Sequence, residues 1–289
     1  MKTYLDCIPC FIKQSLEASR MATDDEDVHI KVVKKVMKHL EHISFNNSPP
    51  ELSREVHYII RKITKSKDPY EKVKIQSNKM AKKLYPHLKK IVKKADDSLL
   101  MATKLSIVGN VIDFGTINRF DIEDMIGKAV EEEFEDRVYP RFKKALEQAK
   151  TILYLADNTG EIFFDKLLIE EILNLDSTKE ITFVVKANPI INDATIKDAE
   201  YAGIDKLAIV IAGDEGQEYS APGIVLSYAT KELLEKLENV DVVISKGQGN
   251  YESLSDINRE IFFMLVVKCP LVARDIGREM AKLILKVKE

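Results

Sequence analysis

The sequence predicts an α/β fold in which a helical N-terminal region packs on a Rossmann-like, doubly wound, mostly parallel sheet. Two observations carry this expectation. Up to about residue 148, strand-like runs are almost absent and apolar residues recur at helical spacing. From Thr151 the pattern changes to short apolar, β-branched runs at 151–156, 181–186, 207–212, 240–245 and 261–267. These runs mostly do not alternate with polar residues, which is how strands buried on both faces read. The segments between them are mostly long enough for crossover helices, so βαβ units are the economical topology. The expected division is a helical region over 1–148 and an α/β domain over 149–289.

Within the first region, 28–43 shows i, i+3, i+4 apolar recurrence. Ser48-Pro49-Pro50 breaks that pattern, and Ser53 is expected to cap a helix through Ile63. Further helices are expected over 68–94, 96–110 and 121–133. Basic runs such as Lys89-Lys90 and Lys93-Lys94 sit among apolar residues at helical spacing and read as a solvated helix face.

Composition narrows the function classes. The 289 residues are 45% hydrophobic, enough for one large core or two smaller ones. A formal net charge of -3 gives no reason to expect nucleic acid as a partner. No run reaches the roughly 18 uninterrupted apolar residues of a membrane span, and the N-terminus lacks the apolar core of a signal peptide. A cytoplasmic protein without a membrane partner is therefore expected. Three cysteines are too few for a secreted disulfide scaffold.

In an open parallel sheet, ligands bind beyond the carboxyl ends of the strands. The segments in that position are Asp157-Asn158-Thr159-Gly160-Glu161, Asn188-Pro189-Ile190-Ile191-Asn192-Asp193, Gly213-Asp214-Glu215-Gly216 and Lys246-Gly247-Gln248-Gly249-Asn250. Each taken singly reads equally well as a turn or a helix cap. Together they form a matched set of carboxylates and amides at one sheet edge. Hard oxygen donors of this kind suit Mg²⁺, Mn²⁺ or a similar divalent ion. Neither a G-x-G-x-x-G run after the first strand nor a P-loop is present. An acidic turn repels a pyrophosphate unless a cation lies between them, which favours a metal-bridged phosphate.

At these residues the chain resembles the DUF89 family of damage-control phosphatases. The similarity rests on Asp157-Asn158-x-Gly160-Glu161, the Asn192-Asp193 turn, Lys246-Gly-Gln-Gly-Asn250-x-Glu252 and, upstream, Gly109-Asn110-x-x-Asp113-Phe114-Gly115. Cys7-x-x-Cys10 and Lys268-Cys269-Pro270 resemble the smaller, stand-alone branch of that family. The resemblance implies a metal-dependent phosphatase acting on sugar phosphates or damaged phosphorylated metabolites. It implies metal ligation by Asp157, Asn158 and Asp193, with Mn²⁺, Ni²⁺, Co²⁺ or Mg²⁺ as the cofactor. Asn110, Glu161 and Lys246 match positions lining the substrate pocket, and Asp113 and Asn250 belong to the same segments. Other branches carry Arg-Thr-x-Lys near the C-terminus; here only Lys268 is retained.

On this reading Lys246 and Lys268 place positive charge around the phosphoryl oxygens, and the backbone N–H groups at Gly160 and Glu161 help hold an anion. Asp157 is a ligand or the attacking nucleophile. Two other activities fit a Rossmann-like sheet: an S-adenosylmethionine-dependent carboxyl methyltransferase, and a sugar-phosphate-binding protein without turnover. Cys7 and Cys10 precede a helix, whose N-terminus lowers thiol pKa. Their readings are a redox pair, a metal half-site, and a structural or disulfide role. A half-site needs two further ligands, and only Cys269 and five histidines remain, all five in segments that read as amphipathic surface.

Overall fold

The computed structural model describes residues 1–110, 126–127, 137–216 and 219–287. Asp113, and all of the expected 121–133 helix except Ile126 and Gly127, lie outside the described residues. Helices α1 (Cys7–Ala22), α2 (Glu26–Leu40), α3 (Pro49–Thr64), α4 (Glu71–Lys94), α5 (Ser98–Gly109) and α6 (Tyr139–Gln148) precede the sheet. The α/β portion then runs β1 (Thr151–Leu155), α7 (Glu161–Leu175), β2 (Glu180–Val185), α8 (Ile196–Ala202) and β3 (Ile209–Ala212). It continues through α9 (Lys231–Asn239), β4 (Val242–Lys246), α10 (Gln248–Leu254), β5 (Phe262–Val266), α11 (Pro270–Ile276) and β6 (Leu283–Val287).

The strand order is β3-β2-β1-β4-β5-β6. Neighbours from β3 through β5 pair in parallel, and β6 returns antiparallel against β5. The five expected strands are present. The sixth was not anticipated: it follows the helix after β5 and closes the sheet edge.

Alternation of side chains through β1 explains why its sequence shows no polar face. Ile152 and Tyr154 enter one apolar cluster with α4, α5, α6 and α7, whereas Leu153 and Leu155 enter another beneath α9, α10 and α11. Both faces are covered, so both sets are apolar. Helix α5 is buried along almost its whole length, and its sequence is correspondingly apolar on every side. Helices α1–α3 form a separate cluster around Phe11, Val32, Val36, Val56 and Ile60. Among the described residues no helix is long and apolar enough to cross a membrane.

Two local expectations are corrected. Ser48-Pro49-Pro50 starts α3 and does not merely interrupt the chain. Proline is tolerated in the first helical turn, where its missing N–H would be unpaired anyway. Glu51 reaches back to accept from the Ser48 amide at 2.7 Å and hydroxyl at 2.9 Å. Ser53 is accordingly a buried helix-interior residue and no cap. Cys7-Ile-Pro-Cys10 is likewise the first turn of α1 itself. All three cysteines are free. Cys269 lies close enough to Cys7 and Cys10 to couple electrostatically, and burial raises both of their thiol pKa values where a bare helix terminus would lower them. They are therefore protonated near neutrality.

His57 is not on the surface. It points into the α1–α3 cluster at 2% exposure, its ring 6.1 Å from that of Tyr70, with Nε2 lacking a partner. Burial, reinforced by Arg61 one turn away, lowers its pKa to about 4. The folded state thus refuses a proton that the unfolded state accepts near pH 6.5. The stabilisation is complete above that value and is lost as pH falls towards 4. Between pH 6.5 and 5 this group alone should cost about 2 kcal/mol. His57→Leu is expected to flatten the decline of unfolding free energy over that range, as measured by urea denaturation at a series of pH values.

Candidate active site

The order β3-β2-β1-β4-β5 reverses direction between β1 and β4, the switch point at which doubly wound sheets bind ligands. The segments after β1, β2 and β4 meet there. The first two are joined by their backbones: Ala194 N donates to Asp157 O at 2.8 Å and Thr159 N to Asn192 O at 2.8 Å, with Asn158 and Asp193 forming an antiparallel bridge. This short ladder brings Asp157 and Asn158 beside Asp193 although the sequence separates them by a helix and a strand. Asn192 and Asp193 cap no helix. That task falls to Thr195, whose amide and hydroxyl both bond Asp198.

The loop holding Asp193 is over-determined. Arg61 donates to Pro189 O, and Asn188 N donates to Ser220 Oγ, which in turn bonds Asp214. Within that loop Ile191 has φ 44°. A β-branched residue in the left-handed region costs on the order of 1–3 kcal/mol and persists only where its surroundings impose it.

Two glycines allow the close approaches that the site needs. At Gly247, with φ 80°, an added Cβ would fall inside the Asp157 carboxylate, so the turn after β4 can pass Asp157 only without a side chain. At Gly109 a Cβ would come within 3.0 Å of Phe164, so α5 packs tightly on α7. That contact sets Asn110, the residue after α5, against Glu161 at the start of α7.

The polar geometry follows. Asn110 Nδ2 donates to Asp157 Oδ2 at 2.7 Å and to Glu161 Oε2 at 2.9 Å. Asn158 Nδ2 donates to the same two oxygens at 2.7 Å and 3.1 Å. Both amide groups thus bridge the two carboxylates. Burial raises the Asp157 pKa well above the usual carboxylate range, with Glu161 and Asp193 adding like-charge repulsion and Lys268 and Lys186 opposing it. Burial likewise raises Asp193 to about 6, against the pull of Lys186.

Lys246 was expected to face an open cleft. It is completely buried beneath the site. Its ammonium donates to Ser106 O at 2.8 Å, Glu161 Oε1 at 2.7 Å and Asp165 Oδ1 at 2.5 Å. An ammonium has three N–H groups, and all are used. Burial would lower its pKa, but the carboxylates of Asp165 and Glu161 outweigh that and raise it. Lys246 therefore clamps Glu161 from behind, leaving none of its protons for a phosphate.

The remaining expected residues divide similarly. Asn250 is buried and bonds Ala156 O, Lys246 O and Ile224 N, which fixes the loops and leaves its amide no free face. The Gly160 amide donates to Asn78 at 2.9 Å and is not available to an anion. Lys268 is exposed at the rim and close enough to act on the Asp157 charge. The sequence reading missed Lys186, which is 2% exposed beside Asp193, as well as Asp165 and Asn78. Lys186 closes a buried apolar run; only its position at a strand's carboxyl end could have singled it out.

Fold and geometry together define a doubly wound α/β protein with an acidic, amide-lined centre at its switch point. The sequence profile of the damage-control phosphatase ARMT1-like domain matches residues 3–284, and the chain belongs to that family. It is 36% identical over 296 residues to a damage-control phosphatase of Archaeoglobus fulgidus, covering 98% of each chain. It is 36% identical over 282 residues to a damage-control phosphatase of Pyrococcus horikoshii, covering 96% of this chain and 94% of that one. The crystal structure of a DUF89 family protein from P. horikoshii superimposes over 100% of both chains with a TM-score of 0.92 at 32% identity.

The buried position of Lys246 sets an expectation for stability. Lys246→Met strands Glu161 and Asp165 without their cation. Removing one partner of a buried ion cluster costs about 3–5 kcal/mol. Chemical denaturation should show a loss of that order, while Lys268→Met at the rim should leave the unfolding midpoint nearly unchanged.

Proposed function

We propose that this protein is a metal-dependent phosphomonoesterase that hydrolyses small phosphorylated metabolites, either sugar phosphates or damaged phosphometabolites. The observation that carries the reading is the crowding of half-buried Asp157 and buried Asp193 at the switch point, with Asp193 Oδ2 receiving no hydrogen bond. Buried carboxylate oxygens without donors are costly unless a cation completes them. Among the described residues no three carboxylates, thiols or imidazoles converge at ligand spacing. The donor set that fits is two carboxylates and an amide carbonyl: Asp157, Asp193 and Asn158. Both Asn158 amide protons are spent on carboxylates, so its carbonyl oxygen is left for a cation. All-oxygen donors suit Mg²⁺ or Mn²⁺, with Co²⁺ and Ni²⁺ as further candidates.

A divalent ion bound there supplies Lewis-acid neutralisation of the phosphoryl charge. The chain's own residues do the rest. Asn110 and Asn158 lock the Asp157 and Glu161 carboxylates in one orientation, and Lys246 holds Glu161 against the strand ends. Lys268 contributes positive charge at the entrance. Asp157, held by two amide donors and crowded by Glu161, serves as a ligand in this reading. The relatives named damage-control phosphatases support the substrate class.

Hydrolysis of p-nitrophenyl phosphate is expected to vanish in EDTA and to return with Mn²⁺, Co²⁺, Ni²⁺ or Mg²⁺. Full activity in chelator would overturn the metal assignment, and metal binding without turnover would favour a binding protein. Asp157→Asn and Asp193→Asn should each abolish the metal-induced rise in unfolding temperature. Without metal, Asp157→Asn should melt at or above the wild type, because it relieves repulsion in the buried acid group. A retained metal response in either variant would remove that residue from the ligand set.

A further inference from the structure

We infer that Lys186 is the cation that binds the phosphate oxygens of the substrate, and that before ligands bind it serves as the exchangeable counter-charge of Asp193. The inference rests on the phosphatase reading above and assigns within it a residue with no other evident task.

Three buried lysines act on the site; Lys74 is held by Asp68 at 2.9 Å, and the contrast between Lys246 and Lys186 carries the argument. Lys246 makes three hydrogen bonds of 2.8 Å or less. The side chain of Lys186 is also only 2% exposed, yet its ammonium has no hydrogen-bond partner. The nearest anionic oxygen is Asp193 Oδ2 at 3.6 Å, and that oxygen has no donor either. Each such orphan costs free energy, because a buried polar group without a partner has lost its water for nothing. A purely structural ion pair would close to hydrogen-bonding distance, as Lys246 does with its two carboxylates. Instead the backbone holds the pair apart. Lys186 N donates to Ala194 O at 2.9 Å, and Asp193 N to Ile190 O at 3.0 Å, in the loop that carries the strained Ile191.

Two unsatisfied groups of opposite charge, fixed slightly too far apart, leave room for a ligand with both signs of charge. A divalent ion meets the carboxylate, and an oxygen of a phosphate monoester dianion meets the ammonium. Until they arrive, Lys186 partly neutralises Asp193 and so competes with the ion. Its removal should therefore leave metal affinity intact or improved while weakening anion binding. A residue that merely supported the loop would lose both together.

The probes are Mn²⁺ and inorganic phosphate, the latter as product. Calorimetric titration of the Mn²⁺-loaded protein with phosphate should show Lys186→Met weakened roughly tenfold or more, the size expected for one charge-assisted contact. Its Mn²⁺ affinity without phosphate should equal or exceed that of the wild type, and Lys186→Arg, which keeps the charge, should recover much of the phosphate affinity. Phosphate binding by Lys186→Met within about twofold of wild type, or parallel loss of phosphate and Mn²⁺, overturns the assignment. Should Lys186→Met fail to fold, the wild type labelled with ¹⁵N at lysine Nζ and loaded with diamagnetic Mg²⁺ decides. Phosphate should shift the resonance that is absent from Lys186→Arg, and an unmoved resonance at saturation overturns the assignment. A wild type that binds Mn²⁺ but no phosphate overturns the phosphatase reading as well, whereas a response shared by wild type and Lys186→Met overturns only the role of Lys186.

Discussion

The buried cluster of Lys246 with Glu161 and Asp165 underlies the geometry of the whole site. It joins the end of β4, the first two turns of α7 and, through Ser106 O, helix α5. Asp165 Oδ1 also accepts from Ser106 Oγ and the Tyr154 hydroxyl, so β1 is tied in too. Charges so deeply buried are tolerated only when paired and hydrogen-bonded. The cluster therefore fixes the direction of the Glu161 carboxylate, whose other oxygen accepts from Asn110 and Asn158. Through Asn110 and Asn158 the Glu161 carboxylate is in turn tied to Asp157.

Lys246 is shared by Glu161 and Asp165, leaving Asp157 and Asp193 in front of it to be offset by Lys186, Lys268 and, for Asp193, Lys74. The Lys246 ammonium is saturated, whereas in the layer facing the strand ends Lys186 Nζ and Asp193 Oδ2 are not. Such an arrangement combines a paired base with unsatisfied groups at the carboxyl ends of the strands. The glycine at 247 lets the turn after β4 pass the Asp157 carboxylate, and left-handed Ile191 shapes the loop that carries Asp193.

How much of this could be read in advance depended on the range of the interactions. The strands after Thr151 were legible because a parallel strand covered on both faces is apolar at nearly every position. Strand β6 was not, since Leu-Ile-Leu-Lys-Val at an antiparallel edge is short, only partly buried and preceded by charged residues. The Pro49-Pro50 signal was seen but read as an end when it marks a start, a distinction that depended on Glu51 folding back to Ser48. His57 reads as surface in the sequence because its helix carries charged neighbours; its burial comes from the packing of α1–α3, which no local pattern encodes.

The sequence by itself determined the helical region, the doubly wound sheet and the edge where polar loops gather, because strand periodicity and turn chemistry act over a few residues. It also supplied Asp157, Asn158, Asp193 and Glu161 as polar groups of that edge, and Asn110 through the family resemblance. Only the tertiary structure decided which polar groups are enclosed by partners and which keep unsatisfied atoms. Lys246 and Lys186 look alike in sequence, each closing an apolar β-branched run. Three acceptors from α5 and α7 enclose the first, whereas the second meets one carboxylate held beyond hydrogen-bonding distance. Partners that arrive from 81 to 140 residues away make one a clamp and leave the other open, because whether a buried charge is satisfied depends on distances in space.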